Sequence, residues 1–542
     1  MAIVLTAVLM AGLDSSVLNV AIPTILRDFH TTLPRLQWVI TGYSLTFAAL
    51  LIIGGRLVDI YGARQVFVVG AVLFGVGSLI AALSTGVLML VVGEAVIEGI
   101  GASLMLPASL AILTSTFHGR ERGTAFSMWA AAMGAAYALG PVLGGFLTTN
   151  FTWRWAFLIN VIAVPFAVIG ILLLTKREPR SGTREPIDVP GAVLVASGMA
   201  LLVFAISEGT TYGWWRALHG LEIAGVTVWP ADRIVSPVPV AFVSSCLLLF
   251  AFSRVERRKE REQRSPLFEF GQLRHLGFRY GLTTLVFLAM GQVAFVLVIS
   301  VVLQNAQHLS AFDTGLWLVP AGVAIVVGSQ IGGWLTRNIA TVVVVRVGLF
   351  FLALGLGLTA ALISPTVSFV ALLPCFALFG LGIGFAGSQL TNVVLHDIPP
   401  DKAGAASGAN STVRMIGAAL GIAVISAMLS AFTIHYALDN LRHAPGISAR
   451  VETTATAEIR AGGVNYRPAA ATPVRAAATL ESSVSDAIAS AARPSMLFAT
   501  AVVTLGLLLS FLIPRPEVDT LDELDPELLV EAELIAEAST IQ

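Results

Sequence analysis

Short polar breaks divide the chain of 542 residues into fourteen largely apolar runs, and this pattern limits the possible folds more than any other feature. A membrane-crossing helix needs about 20 largely apolar residues to span a hydrocarbon core about 30 Å thick. The runs lie near 1–25, 36–53, 65–83, 87–115, 124–147, 155–175, 188–207, 235–253, 279–303, 314–336, 341–363, 366–395, 404–431 and 495–513. Only helices and closed barrels satisfy their backbone inside lipid. Barrel strands would alternate in segments of about ten residues, whereas these runs are long and continuous. The expected fold class is therefore an all-α polytopic membrane protein with 14 transmembrane helices. Composition agrees: 56% of residues are hydrophobic and 12% charged, where a soluble domain carries about 25% charged residues. Soluble enzymes and nucleic-acid binders are excluded, and a net charge of -1 gives no general attraction to nucleic acid. Cys246 and Cys375 lie in separate apolar runs and read as small core residues, not as a disulfide or metal pair.

Cytoplasmic loops carry an excess of Lys and Arg. One side of the predicted topology holds 20 of the 32 basic residues, and the short loops opposite hold five, Arg27, Arg35, Arg154, Arg216 and Arg233. Both termini are thus expected in the cytoplasm. Asp14 interrupts the first run and no basic stretch precedes it, so that run is not read as a signal peptide.

Two halves echo each other. The fourth span contains Gly99-Ile-Gly101 with Gly123 22 residues after Gly101, and the twelfth contains Gly382-Ile-Gly384 with Gly404 20 residues after Gly384. Ordered self-similarity of this kind suggests repeated halves around a midplane site. It gives a division into an N-terminal six-helix half (1–175), an inserted hairpin of spans 7 and 8 with a basic loop (176–278), a C-terminal six-helix half (279–513) and an acidic tail (514–542).

Ionisable residues inside spans mark ion or substrate paths. Asp14 lies more than two turns from either end of the first span, and burial favours the neutral form of a carboxyl, so Asp14 is a candidate to load and release a proton. The alternative is a structural acid joining two helices. Glu94 and Glu98, at i and i+4, project from one face of the fourth span. Two carboxylates this close resist double ionisation, which suits either proton exchange or holding a lipophilic cation. For Glu94 the alternative is simple contact with water near the outer end. No histidine lies mid-span, so the proton work falls to carboxylates. Arg414, about ten residues into the thirteenth span, reads as a counter-ion or a snorkelling side chain. Gln292, Gln304 and Asn305 are candidates to line a cavity or to bond neighbouring helices.

Gly55-Arg56-Leu57-Val-Asp59-Ile-Tyr-Gly62-Ala-Arg64 fills the loop between spans 2 and 3, where Asp59 is placed to cap a helix or to pair with Arg56 or Arg64. In the fifth span Ala136, Gly140 and Gly144 recur every four residues beside Pro141 and Gly145, which permits close helix approach and a bend.

Taken together these stretches resemble the 14-span drug:proton antiporters of the major facilitator superfamily, the group of QacA-like and EmrB-like multidrug exporters. The likeness runs to about residue 513 with four motifs in order. It implies a gating role for the loop residues Gly55, Leu57, Asp59, Gly62 and Arg64, and marks Gly140, Pro141, Gly144 and Gly145 as the antiporter motif. Leu13, Asp14, Asn19, Ala21 and Pro23 match the first-span motif, in which the acid is implicated in coupling, and Trp153 to Asn160 matches a stretch that opens the sixth span. The chain departs from the pattern where relatives carry arginine and glutamine, here Glu94 and Glu98, so the family's proton-relay arginine has no counterpart. Ala63 and Ala136 replace a frequent arginine and glycine, the second-half loop Gly332 to Arg337 lacks the acid, and residue 1 already lies within the first span where relatives carry a short lead.

The resemblance implies a multi-pass protein of the bacterial cytoplasmic membrane that exports small amphipathic compounds, cations included, against entering protons. No cofactor, metal or obligatory protein partner is implied. Asp14 with Glu98 would bind proton and substrate in competition. Rival readings are a dedicated exporter of an endogenous lipid, siderophore or antibiotic, and a non-transporting sensor. An ATP-driven pump is excluded on this chain, since none of Lys176, Lys259 and Lys402 follows a glycine. The run Arg254 to Arg264 reads as a solvated helix because Glu256, Glu260 and Glu262 interrupt it; the external segment 432–494 reads as mostly flexible; and the tail after Pro514 reads as a solvated extension.

Overall fold

The computed structural model describes residues 1–514 apart from positions 32, 118, 175–187, 224–225, 263, 265, 400–401, 444–448, 467 and 469–473. A few side chains inside helices also lie outside the described residues, among them Asn19, Pro23, Arg120 and Pro141. Fourteen long helices follow one another: α1 (Ala2–Asp28), α2 (Leu33–Tyr61), α3 (Ala63–Ala82), α4 (Val87–Thr116), α5 (Gly119–Asn150), α6 (Trp155–Leu174), α7 (Val189–Ser207), α8 (Pro237–Arg261), α9 (Leu276–Ala306), α10 (Ala311–Leu335), α11 (Thr341–Leu362), α12 (Phe369–His396), α13 (Ala403–Arg442) and α14 (Val474–Ser510). Among the described residues, twelve helices are long and apolar enough to cross a membrane. The other two long helices, α1 and α5, have 27 and 32 residues and pack against each other. The chain is thus an all-α, multi-pass membrane protein.

Buried side chains gather in two large clusters. One is drawn from α9 to α14 and includes Phe295, Leu349, Phe376 and Val503; the other is drawn mainly from α1 to α6 and includes Phe67, Phe74, Met105 and Phe126. Equivalent glycine crossings organise both. A Cβ on Gly101 of α4 would lie 2.4 Å from the backbone nitrogen of Phe74 in α3, and one on Gly382 of α12 would lie 2.5 Å from that of Leu352 in α11. Only glycine permits such approach, which is the packing counterpart of the sequence echo. Between the halves α5 packs along α10, α2 packs against α13, and the inserted helix α7 touches both α2 and α13.

Two expectations are corrected. The segment 432–494 is largely helical: α13 runs on to Arg442, Ala449–Gly462 forms a further helix, and α14 begins at Val474. At about 1.5 Å per residue, the 40 residues of α13 extend about 60 Å, twice a hydrocarbon core. Alanine favours helix, and the protruding turns extend the core of the C-terminal half through Leu441, Ala455, Ile459, Leu480, Val484 and Ile488. The run after Arg254 is not uniformly solvated either. Glu256 is fully buried and accepts from the backbone N–H of Phe268 at 3.2 Å, while Glu260 accepts from that of Gly271 at 2.9 Å. Two glutamates there tie down the loop that follows.

Candidate functional site

Three carboxyl groups that are far apart in sequence meet inside the N-terminal half. Asp14 of α1 and Glu94 and Glu98 of α4 are 3%, 0% and 0% exposed, and one oxygen from each lies within 4.8 Å of the others. Glu94 therefore does not reach water. The segment Val91–Glu98 is π-helical, with i→i+5 hydrogen bonds, not a regular α-helical turn. Such insertions cluster at functional sites, and this one carries both glutamates.

Neighbouring helices supply the donors. Ser78 of α3 donates to Glu98 Oε1 at 2.6 Å. Asn160 Nδ2 of α6 lies 3.0 Å from Asp14 Oδ1, 3.3 Å from Glu98 Oε1 and 3.3 Å from Ser78 Oγ, so one amide links three elements. The approach of α3 needs glycine, since a Cβ on Gly77 would sit 2.6 Å from the backbone nitrogen of Glu98. Among the described residues, no group outside the three acids donates to Asp14 Oδ2, Glu98 Oε2 or either oxygen of Glu94. Two negative charges 4 Å apart repel by about 4 kcal/mol at an effective dielectric near 20. Three at this spacing need protons or a cation shared among their oxygens, and the geometry fits either.

The sequence marked the three acids but gave Ser78 and Asn160 no role. Asn160 was legible as an amide in the apolar run Phe157-Leu-Ile-Asn-Val-Ile, where a polar side chain needs a partner. Ser78 sits in the small-residue run Gly75-Val-Gly77-Ser78, which reads as packing alone. At the far end of α1, Asp28 bonds the Trp153 indole at 3.0 Å and Arg154 at 2.9 Å. These two donors hold its carboxyl below the usual carboxylate range.

The other predicted residues fall elsewhere. Asp59 caps the first turn of α13 in the opposite half, accepting from the backbone N–H of Gly404 at 2.7 Å and Ala405 at 2.9 Å. Gly55 lets α2 approach, because a Cβ there would lie 2.3 Å from the Gly404 carbonyl. Gly62 takes a φ of 87° at the turn into α3, and Arg64 donates to the Leu172 carbonyl of α6. Arg56 and Leu57 lie on the last turns of α2. Further bonds cross between halves on this face, from Gln389 to Ser127 at 2.9 Å and from Arg122 to the Leu395 carbonyl at 2.7 Å.

In α5, Gly140 is buried, a Cβ on Gly144 would meet Val17 of α1 at 3.1 Å, and one on Gly145 would meet Phe312 of α10 at 3.0 Å. The side chains of Pro141 and Asn19 lie outside the described residues. Arg414 donates to Thr391 of α12 at 3.1 Å and lies 6.0 Å over the Trp129 ring of α5. The hydrogen bonds of the acid cluster come from α3 and α6, so Arg414 is not their donor. Gln292 and Gln304 are half-buried on α9. Asn305, in the π-helical end of α9, donates to the Val464 carbonyl at 2.9 Å and borders a cavity of about 110 Å³ with His308, Tyr466 and Glu481.

Comparison with known proteins accords with this architecture. The family model of the Major Facilitator Superfamily matches residues 4–422. A probable actinorhodin transporter of Streptomyces coelicolor is 32% identical over 433 residues, 79% of this chain and 71% of that protein. A puromycin resistance protein of Streptomyces alboniger is 32% identical over 446 residues, 81% of this chain and 83% of its own. A multidrug efflux pump of Mycolicibacterium smegmatis is 28% identical, covering 80% and 81%. Among solved structures, the human organic anion transporter MFSD10 superposes with a TM-score of 0.55 at 15% identity, covering 94% of this chain and 98% of that one, and so shares the fold. On its sequence and its architecture alike, the chain belongs to the major facilitator superfamily.

Proposed function

We propose that the chain is a proton-coupled exporter of small amphipathic compounds across the cytoplasmic membrane, with fourteen crossings and its basic face inside the cell. The observation that carries this reading is the buried cluster of Asp14, Glu94 and Glu98, four of whose oxygens have no donor outside the cluster among the described residues. Protonated from the outer side, the cluster is neutral and its helices pack. Deprotonated to the inside, it places repelling charges between α1 and α4 and drives their rearrangement. Since all five side chains belong to α1, α3, α4 and α6, coupling runs through helix movement and not through contact between a bulky substrate and the acids. That departs from simple competition for one site. The crossing bonds of Asp59, Arg122 and Gln389 form the inner gate in this scheme.

Relatives named for antibiotic export or multidrug efflux support a drug-like cargo. A second reading, a dedicated exporter of one endogenous product, is favoured by the relatives named for a single compound, such as a cephamycin export protein. Dye accumulation in cells producing the chain tests the proposal. Accumulation should fall, and it should recover both with a protonophore and in Asp14→Asn. Unchanged accumulation across a broad panel of dyes and antibiotics would defeat the multidrug reading.

A further inference from the structure

Between α7 and α8, the described residues of 208–236, all but 224 and 225, form a loop on the face opposite the basic one, including a short antiparallel hairpin of β1 (Leu221–Ile223) and β2 (Val226–Trp229). Its inner side is well packed. Tyr212 and Leu221 are buried with Phe204, Val238 and Ala241, and Glu208 accepts from the Thr41 hydroxyl of α2 at 2.6 Å. Its outer side exposes large apolar side chains, Trp215 at 78%, Leu218 62%, Ile234 79% and Val235 47%, interleaved with exposed Arg216, His219, Asp232 and Arg233.

These side chains form one surface. The Ser236 N–H donates to the Trp215 carbonyl at 3.0 Å, and the Trp229 indole donates to the Val235 carbonyl at 2.9 Å, joining the 213–218 turn to the segment that enters α8. The Arg233 guanidinium lies 5.1 Å over the Trp229 ring. Ile234 and Val235 come just before Pro237, the first residue of α8. From there the exposed row Val240, Val243, Leu247 and Phe250 continues down the helix at three- and four-residue spacing.

Soluble surfaces rarely expose a contiguous apolar patch. Tryptophan beside arginine at the end of a span is instead the chemistry of the headgroup level, where an amphipathic ring has an apolar body and a polar edge to satisfy. We propose that this loop is a membrane-surface anchor, with Trp215, Leu218, Ile234 and Val235 seated in the glycerol and headgroup layer of the adjoining leaflet. The occupant is lipid because the patch continues directly into the lipid-facing row of α8. This holds whatever the cargo is. It also gives the bilayer a grip on α2, to which the base of the loop is bonded through Thr41 and Glu208.

Site-directed fluorescence tests the assignment. Cys246 is exposed and is replaced by serine, while Cys375 is buried and stays. Trp215→Cys, Ile234→Cys and, as a water reference on the exposed side of the helix Ala449–Gly462, Arg460→Cys are each labelled with a nitrobenzoxadiazole dye. The full chain is then reconstituted in phosphatidylcholine and phosphatidylglycerol vesicles. At 215 and 234 the dye should emit to the blue of position 460, show several-fold less quenching by iodide, and be quenched by lipids bearing a nitroxide near the headgroup. Water-like emission with full iodide access at both positions would overturn the anchor. So would protection that appears without nitroxide-lipid quenching and rises with protein-to-lipid ratio, the signature of a second copy covering the patch. Both side chains point away from the packed side, and unchanged labelling and elution of the three variants would show that the fold is kept.

Discussion

Asn160 is the residue on which the acid cluster turns, because its amide reaches Asp14, Glu98 and Ser78 from a helix that carries none of the acids. A hydrogen bond to a charged group contributes about 1.5–3 kcal/mol. Asn160→Ala should therefore slow substrate-driven proton release about tenfold or more, since 1.4 kcal/mol is a factor of ten, and leave the amount of protein in the membrane near normal. Ser78→Ala removes one donor of two from Glu98 and should give a smaller loss of the same kind. If Asn160→Ala exchanged protons at the unmodified rate, the amide would be a packing residue only. Glu94 makes the opposite prediction from a polar acid at the membrane edge: being fully buried, it should resist modification by a water-soluble carbodiimide while an exposed acid such as Glu262 reacts.

Helix packing explains which parts of this site could be read in the sequence. The acids stood out because carboxyl groups inside apolar runs are rare, and the glycine echo pointed to helices that cross closely. The partners of those acids were hidden, because nothing local in Ser78 or Asn160 says which helix faces which. The π-helical stretch of α4 was hidden for a related reason: the hydrophobic pattern of Val91–Glu98 suits a regular helix equally well, and the wider turn arises where α3 presses on Gly93. Length misled at α13 and α14. Their apolar centres set the membrane-crossing part, while alanine and a continuation of the same buried core carry the helices well beyond it. The close crossing itself is testable. Gly101→Val would force side-chain atoms onto the backbone of Phe74, and overpacking costs about 1–3 kcal/mol. A lowered unfolding temperature in detergent is expected, with a smaller drop for Gly86→Val, where a Cβ meets nothing within 4 Å.

Across the molecule, the halves are held together on the basic face by side-chain bonds to helix ends, from Asp59 to Gly404 and Ala405 and from Arg122 to Leu395, and by the side-chain pair Gln389 and Ser127. Asp59 acts as an N-cap to a helix of the other half, and losing such a cap costs about 0.5–2 kcal/mol. Asp59→Ala should thus shift the molecule toward states open on that face by roughly a few-fold. A cysteine at position 127, buried where Gln389 crosses, should then react faster with a membrane-impermeant maleimide in inside-out vesicles. Equal rates would show that other contacts hold the face shut. The separation of this gate from the acid cluster gives the proposed cycle its form: charge changes inside one half, and the halves respond by moving apart or together.

Proton release from acid-loaded inside-out vesicles tests that account most directly, read as loss of the gradient when a panel of amphipathic compounds is added. The unmodified chain should release protons on addition of a substrate, and Asp14→Asn and Glu98→Gln, inserted at equal levels, should not. Release that survives both substitutions would contradict coupling through the buried acids.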